Sequence, residues 1–146
     1  MADENPSIMH HISIGTNDFD RATEFYDQVM ATIGAKRVFE FPGAVAYGRE
    51  FPELWVQTPI DGATASCGNG SHFAFIAPSR EAVQAFYDTA LAAGGTSDGE
   101  PGPRPGRLSD QPVRTAVRGD HSLALAQGEL PGRQADRQRV RHRSRG

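Results

Sequence analysis

Two histidines, His11 and His72, each open a stretch that the chain contains twice. HISIGTNDFDRATEFYD begins at residue 11 and HFAFIAPSREAVQAFYD at residue 72, an offset of 61 with no gap. Phe25, Tyr26 and Asp27 fall on Phe86, Tyr87 and Asp88, Ala31 falls on Ala92, and Gly34 on Gly95. With the histidines, that makes six identities in 24 aligned positions, where average composition gives roughly one or two. Imidazole ligates metals and carries protons near neutral pH, so a duplicated histidine is where chemistry is sought first. A lone strand histidine is more often a hydrogen-bonded surface residue. The repeat sets this pair apart.

Strands and helices must position them. In HHISIG, alternation sends Ile12 and Ile14 to one side of a strand and His11 and Ser13 to the other. In SHFAFIA, Phe73 and Phe75 take the apolar side and His72 the other. Each strand leads into a helix. The first is capped by Asn17 or Asp18 and carries Phe19, Ala22, Phe25, Tyr26, Val29, Met30 and Ile33 at helical spacing. The second follows Pro78-Ser79 and carries Val83, Phe86, Tyr87, Ala90 and Leu91. Gly34 ends the first helix and Gly94-Gly95 the second. The repeated Phe-Tyr pair reads as core, Asp27 and Asp88 as solvated residues, and His10 as structural or partly exposed on the helix side.

Three short strands follow the first helix: KRVFEF, AVAYGRE and ELWVQTP, separated by Pro42-Gly43 and Phe51-Pro52. In the last, Leu54 and Val56 join the core, which leaves Glu53, Trp55 and Gln57 on the histidine side. The first module is therefore β-α-β-β-β over about 7–60. A linker spans 61–70, and a second module starts over 71–95. Gly68-Asn69-Gly70 lacks the strand–turn–helix context of a phosphate loop and reads as a turn in the linker.

MHHISIG, FDRATEFYDQVMATIG, AVAYGREFPELWVQTP and SHFAFIAPSREAVQAFYDTALAAGG, in this order, resemble the vicinal oxygen chelate superfamily. That group includes glyoxalase I, extradiol dioxygenases, and bleomycin- and fosfomycin-resistance proteins. The resemblance covers about residues 7–100. It implies an α+β fold of paired βαβββ modules, the second of them incomplete in this chain. It also implies a divalent metal (Fe, Mn, Ni or Zn) held by His11, His72 and Glu53, with Glu53 as the catalytic carboxylate. Ser13, Trp55 and Gln57 would then line a small-molecule site. The chemistry expected is metal-dependent, of lyase, isomerase or dioxygenase type, on a substrate with vicinal oxygens. A metal-free binding protein of the bleomycin-resistance kind is the alternative. A homodimer is implied too.

Composition excludes several classes. No apolar run approaches a membrane span, and the acidic start MADENPS is unlike a signal peptide. One cysteine, Cys67, has no internal disulfide partner, which fits a cytoplasmic protein. The net charge of −3 hides an asymmetry. Residues 1–100 hold 5 Lys+Arg against 14 Asp+Glu, a balance of −9, and residues 101–146 hold 10 Arg against 4 Asp+Glu, a balance of +6. All 12 aromatic residues precede residue 88.

The repeat fails near residue 100. An offset of 61 sets 97–118 against 36–57, yet SDGEPGPRPGRLSDQPVRTAVR has four prolines and no aromatic, and reads as loop. Arg114 then takes the place of Glu53, with His121 and Glu129 as remote substitutes. The segment 101–146 reads as a basic, disordered or aberrant tail. It is a basic arm, a divergent second half, or sequence translated out of frame, the last being favoured. Nucleic-acid binding through it is disfavoured by the acidic body. An incomplete second half predicts a weakened metal site.

Overall fold

The computed structural model describes residues 7–66, 71, 73–102, 113–118 and 123–128. Its elements run β1 (Ile12–Gly15), α1 (Phe19–Ala31), β2 (Lys36–Phe41), β3 (Ala44–Gly48) and β4 (Leu54–Gln57). The same order returns as β5 (Phe73–Ala77), α2 (Arg80–Ala92), β6 (Thr96–Gly102), β7 (Val113–Arg118) and β8 (Leu123–Gly128). Two four-stranded sheets result, ordered β1-β4-β3-β2 and β5-β8-β7-β6. The paired α+β architecture is the one expected.

Local chemistry sets the helix ends. Asp18, rather than Asn17, caps α1 by accepting the Arg21 N–H at 3.1 Å. The Ser79 hydroxyl accepts the Ala82 N–H at 3.0 Å to start α2. Gly34 and Gly94 leave the helices at φ 79° and 101°, a region costly for any residue with a Cβ. Asn17 does other work. Its side chain donates to the Ala65 carbonyl at 3.0 Å and accepts the Ala65 N–H at 2.6 Å, which holds the start of the linker against the β1–α1 turn.

Each helix covers one face of its sheet, and the helices touch each other, so a single core serves both modules. Val29, Val45, Tyr47, Val56, Val83, Phe86 and Ala90 have no exposed surface, and Ile12, Ile14 and Phe75 pack on their rim. Leu91, expected in the core, instead lies at the edge of the α2 stripe, 36% exposed. Arg49 ties the modules together. Its guanidinium donates to the Ile33 carbonyl at 3.0 and 2.9 Å and to the Ile76 carbonyl at 2.8 Å. Among the described residues no helix is long and apolar enough to cross a membrane.

The expected loop over 97–118 is instead strand at 97–102 and 113–118, and residues 103–112 lie outside the described residues. β6 and β7 pair antiparallel, and β8 pairs with both β7 and β5. The parallel registers explain the error. Ile12 pairs with Leu54 and Phe73 with Ala124, and although Phe73 lies 61 after Ile12, Ala124 lies 70 after Leu54. The extra length falls between β6 and β7, where residues 103–112 replace the two-residue turn Pro42-Gly43. A gapless offset could not cross it. Even the bulge repeats, since the register shifts between Arg37 and Phe39 in one sheet and between Ser97 and Gly99 in the other. The rest of the expected basic tail, residues 129–146 included, lies outside the described residues.

The ladder has a direct consequence. Amides in 113–118 and 123–128 are expected to exchange more slowly than an unstructured chain by at least tenfold. Free exchange throughout both segments, with β1–β4 protected, would mean the second sheet does not form.

Candidate functional site

Residues directly paired across neighbouring strands share a face of the sheet. On the face of the first sheet turned away from α1, one row runs Phe39–Ala46–Trp55–Ser13. The next runs Phe41–Ala44–Gln57–Gly15. One step the other way, Glu53 precedes β4 and its carbonyl accepts the Ile12 N–H at 2.9 Å, which sets His11 beside it. The expected parity of His11, Ser13, Glu53, Trp55 and Gln57 therefore holds. The opposite rows, with Ile12, Leu54 and Tyr47 or Ile14, Val56 and Val45, belong to the core.

Three aromatic rings dominate the open face. Phe39, Phe41 and Trp55 lie with centroids 6.2–6.4 Å apart and planes within 7–13° of parallel. They come from β2 and β4, and the intervening β3 contributes only Ala44 and Ala46, so the rings lean together across it. Ala46 is covered completely, while Phe39 and Phe41 stay half exposed. His11 meets the edge of Trp55 at 6.4 Å. The sequence reading found Trp55 and missed both phenylalanines. Simple alternation would align them with Arg37. The bulge at Val38 reverses that, sending Arg37 to the helix side and the two rings to the open side.

Arg37 uses that position to hold α1. It donates to both Asp27 carboxylate oxygens at 2.7 Å and to Glu40 at 2.6 Å, and the Tyr47 hydroxyl donates to Asp27 at 2.9 Å. The guanidinium holds the Asp27 carboxyl below its usual range. Burial pushes the Tyr47 phenol up, and the neighbouring Asp27 adds to this. Asp27 is thus a clamp between helix and sheet rather than merely solvated. Its repeat partner Asp88 accepts from Gln84 at 2.9 Å and remains on the surface.

For a divalent ion, the described residues supply His11 and Glu53, an imidazole and a carboxylate just ahead of two neighbouring strands. Both are exposed. Among the described residues no three His, Cys, Asp or Glu come together in a way that could hold a metal. His72, the third expected ligand, lies outside the described residues, as do His121 and Glu129. The donors present suit a divalent ion in type but form only part of a set. His10, expected on the helix side, instead turns its ring to His11, with the two Nδ1 atoms 2.7 Å apart.

The matching register positions of the second sheet hold other residue types. Register places Leu123 where the first module has Glu53, Leu125 for Trp55, Gly99 for Phe39 and Gly102 for Phe41. Arg114, assigned by offset to the place of Glu53, matches Ala44 instead. Only Gln57 finds its own kind, in Gln127. The second copy is thus depleted of the chemistry of the first.

The profile of the Glyoxalase/Bleomycin resistance protein/Dioxygenase superfamily matches residues 8–109, ending before β7 and β8. Among solved structures, a glyoxalase/bleomycin resistance protein from Albidiferax ferrireducens is 30% identical, with 84% of this chain and 100% of that one covered and a TM-score of 0.77. A glyoxalase/bleomycin resistance protein/dioxygenase family enzyme from Burkholderia phytofirmans is 16% identical over 83% and 98% of the chains, with a TM-score of 0.63. A lactoylglutathione lyase from Agrobacterium tumefaciens is 19% identical over 86% and 95%, with a TM-score of 0.57. The last two share the fold only. No curated protein matches the chain.

Proposed function

The chain belongs to the glyoxalase/bleomycin resistance protein/dioxygenase superfamily, and from that premise we propose that it binds a small planar molecule on the open face of its first sheet. The observation that carries this reading is the near-parallel set of Phe39, Phe41 and Trp55, left open beside His11. Large exposed aromatics gathered in one patch are unusual in a domain that needs them for nothing. Their faces offer dispersion and quadrupole contacts to a flat conjugated ligand, about 0.5–1.5 kcal/mol for each ring pair. Ser13 and Gln57, in the same two rows as the rings, are hydrogen-bonding groups that would orient oxygens on its rim.

Metal-assisted chemistry is the second reading, favoured by His11 standing beside Glu53. His11 and Glu53, with His72, would hold the ion, and a divalent ion there would polarise an oxygen of the bound molecule as a Lewis acid. The protein's own residues would do the rest. Trp55 and the phenylalanines would exclude water from one side of the ligand, and Glu53 would accept a proton if it is not spent as a ligand.

Trp55 is the only tryptophan, so its fluorescence reports on this face alone. Titration with catechol, a flat probe with neighbouring oxygens, is expected to quench it saturably. Phe39→Ala or Phe41→Ala should weaken the probe by roughly tenfold, the equivalent of about 1.4 kcal/mol. Equal affinity in both variants and the parent would defeat the planar-ligand reading. If Mn(II) tightens the probe in the parent but not in Glu53→Gln, the metal reading gains directly.

A further inference from the structure

The segment that leaves β4 for the second module lies over one corner of the open face. Gly15 ends the row Phe41–Ala44–Gln57–Gly15, so a side chain there would rise from that face. The linker takes its place. A Cβ built on Gly15 would stand 3.2 Å from the Ala65 Cβ and 3.4 Å from the Pro59 Cγ. Only a residue without a side chain lets the two come so close. Ser13, at the same end of the neighbouring row, is exposed, while Gly15, Pro59 and Ala65 are each half-buried.

The segment has a fixed shape. The Gly62 N–H donates to the Pro59 carbonyl at 3.0 Å, with Gly62 at φ 69°, and the Asp61 carboxylate accepts the Ala63 N–H at 2.9 Å. These turns bring Ala65 back beside Pro59. Asn17 then fastens Ala65 through both of its backbone groups, as a neighbouring strand would. Asn17 is itself held from either side. The Thr16 N–H donates to the Gln57 carbonyl at 2.9 Å, and the Asp18 N–H to the Thr16 hydroxyl at 3.1 Å. Neighbouring strands lie about 4.8 Å apart, so Gly15 on β1 is about 10 Å from Ala44 on β3, between the rings. One six-membered ring lying flat fits that span, and a fused pair in the same pose meets Ala65 and Pro59. We propose that residues 59–65 are the end wall of the planar-ligand site and that Asn17 is the positioning residue that sets it. The site thereby takes single-ring molecules and disfavours fused-ring ones. This rests on the planar-ligand reading and adds the class of molecule admitted.

Trp55 fluorescence tests it with two probes: catechol, and its fused-ring analogue, a naphthalenediol with neighbouring hydroxyls. On an unwalled face the larger probe should bind tighter, because it buries more apolar area. The wall reverses that order, and the parent chain is expected to prefer catechol by at least about tenfold. Asn17→Ala should bring the ratio of the two affinities to about one or below. Gly15→Ala, whose Cβ would displace Ala65 and Pro59 with Asn17 in place, should move the ratio the same way. A loss of stability alone lowers both affinities together and leaves the ratio as it was. Asn17→Ala should also speed exchange of the Ala65 amide by at least about tenfold, a readout that needs no probe. If the naphthalenediol binds the parent as tightly as catechol, the wall is overturned and the planar-ligand reading stands. A ratio unchanged in Asn17→Ala would overturn the role of Asn17. Saturable binding of neither probe would defeat the planar-ligand reading, and the wall's role with it.

Discussion

Replacing Phe86 by alanine is expected to destabilise the chain by about 3–5 kcal/mol, moving its urea midpoint down by about 2 M. Phe86 has no exposed surface, and its ring packs against Phe75 at 6.3 Å under the second sheet. Truncation removes the transfer energy of the ring and leaves a cavity that a single shared core closes poorly. Against a total of roughly 5–15 kcal/mol for a domain, that is a large share. Leu91→Ala on the same helix is the internal control. Leu91 lies at the surface edge, so its loss should shift the midpoint far less. Equal shifts in the two variants would mean that α2 does not pack as described. Because the core spans both helices, Phe86→Ala should also broaden Trp55 fluorescence changes in the first module rather than melt the second alone.

Gly48→Ala is expected to lose about 3 kcal/mol, or roughly 10 °C of melting temperature for a chain of this size. The cause is space, not backbone angle. A Cβ at Gly48 would stand 1.6 Å from the Phe51 carbonyl oxygen and 2.8 Å from its carbon. Those are backbone atoms, so no side chain can swing aside. The β3–β4 turn would have to move, and it carries the Glu53 N–H donated to the Tyr47 carbonyl at 3.0 Å. Displacing it shifts Glu53 and the start of β4, so catechol affinity at Trp55 should fall with stability. Gly102→Ala makes the contrast, since among the described residues nothing lies within 4 Å of its added Cβ. That variant should melt within about 2 °C of the parent. A Gly48→Ala protein as stable as Gly102→Ala would show that the turn is looser than its contacts indicate.

Much of this was legible in the chain because it is local. Period-two alternation in HHISIG and ELWVQTP placed His11, Ser13, Glu53, Trp55 and Gln57 on one face, and the registers agree. The helical stripes named Val29, Met30, Val83 and Phe86 as core, and all are buried. Leu91 was misplaced because it flanks its stripe. Asp27 was read as solvated because its partners, Arg37 and Tyr47, come from strands ten and twenty residues away. Residues 97–118 read as loop in the sequence because the proline-rich β6–β7 connection breaks the repeat. What VRTAVR and LALAQG lacked in pattern, pairing with β5 and β6 supplied.

By itself the sequence determined the duplicated module, its helices with their caps, and the parity of the histidine face, since each follows from spacing within a dozen residues. Tertiary structure alone decided the rest. The bulge at Val38 turned Phe39 and Phe41 toward Trp55 while sending Arg37 to Asp27. A bulge is a one-residue mismatch between two strands, so it exists only once they pair. The correspondence of Glu53 with Leu123, and of Gln57 with Gln127, is likewise a property of parallel registers that no offset along one chain contains. The approach of His10 to His11 depends on where β1 begins, because hydrogen bonding to β4 starts only beyond that point and leaves both rings free to meet.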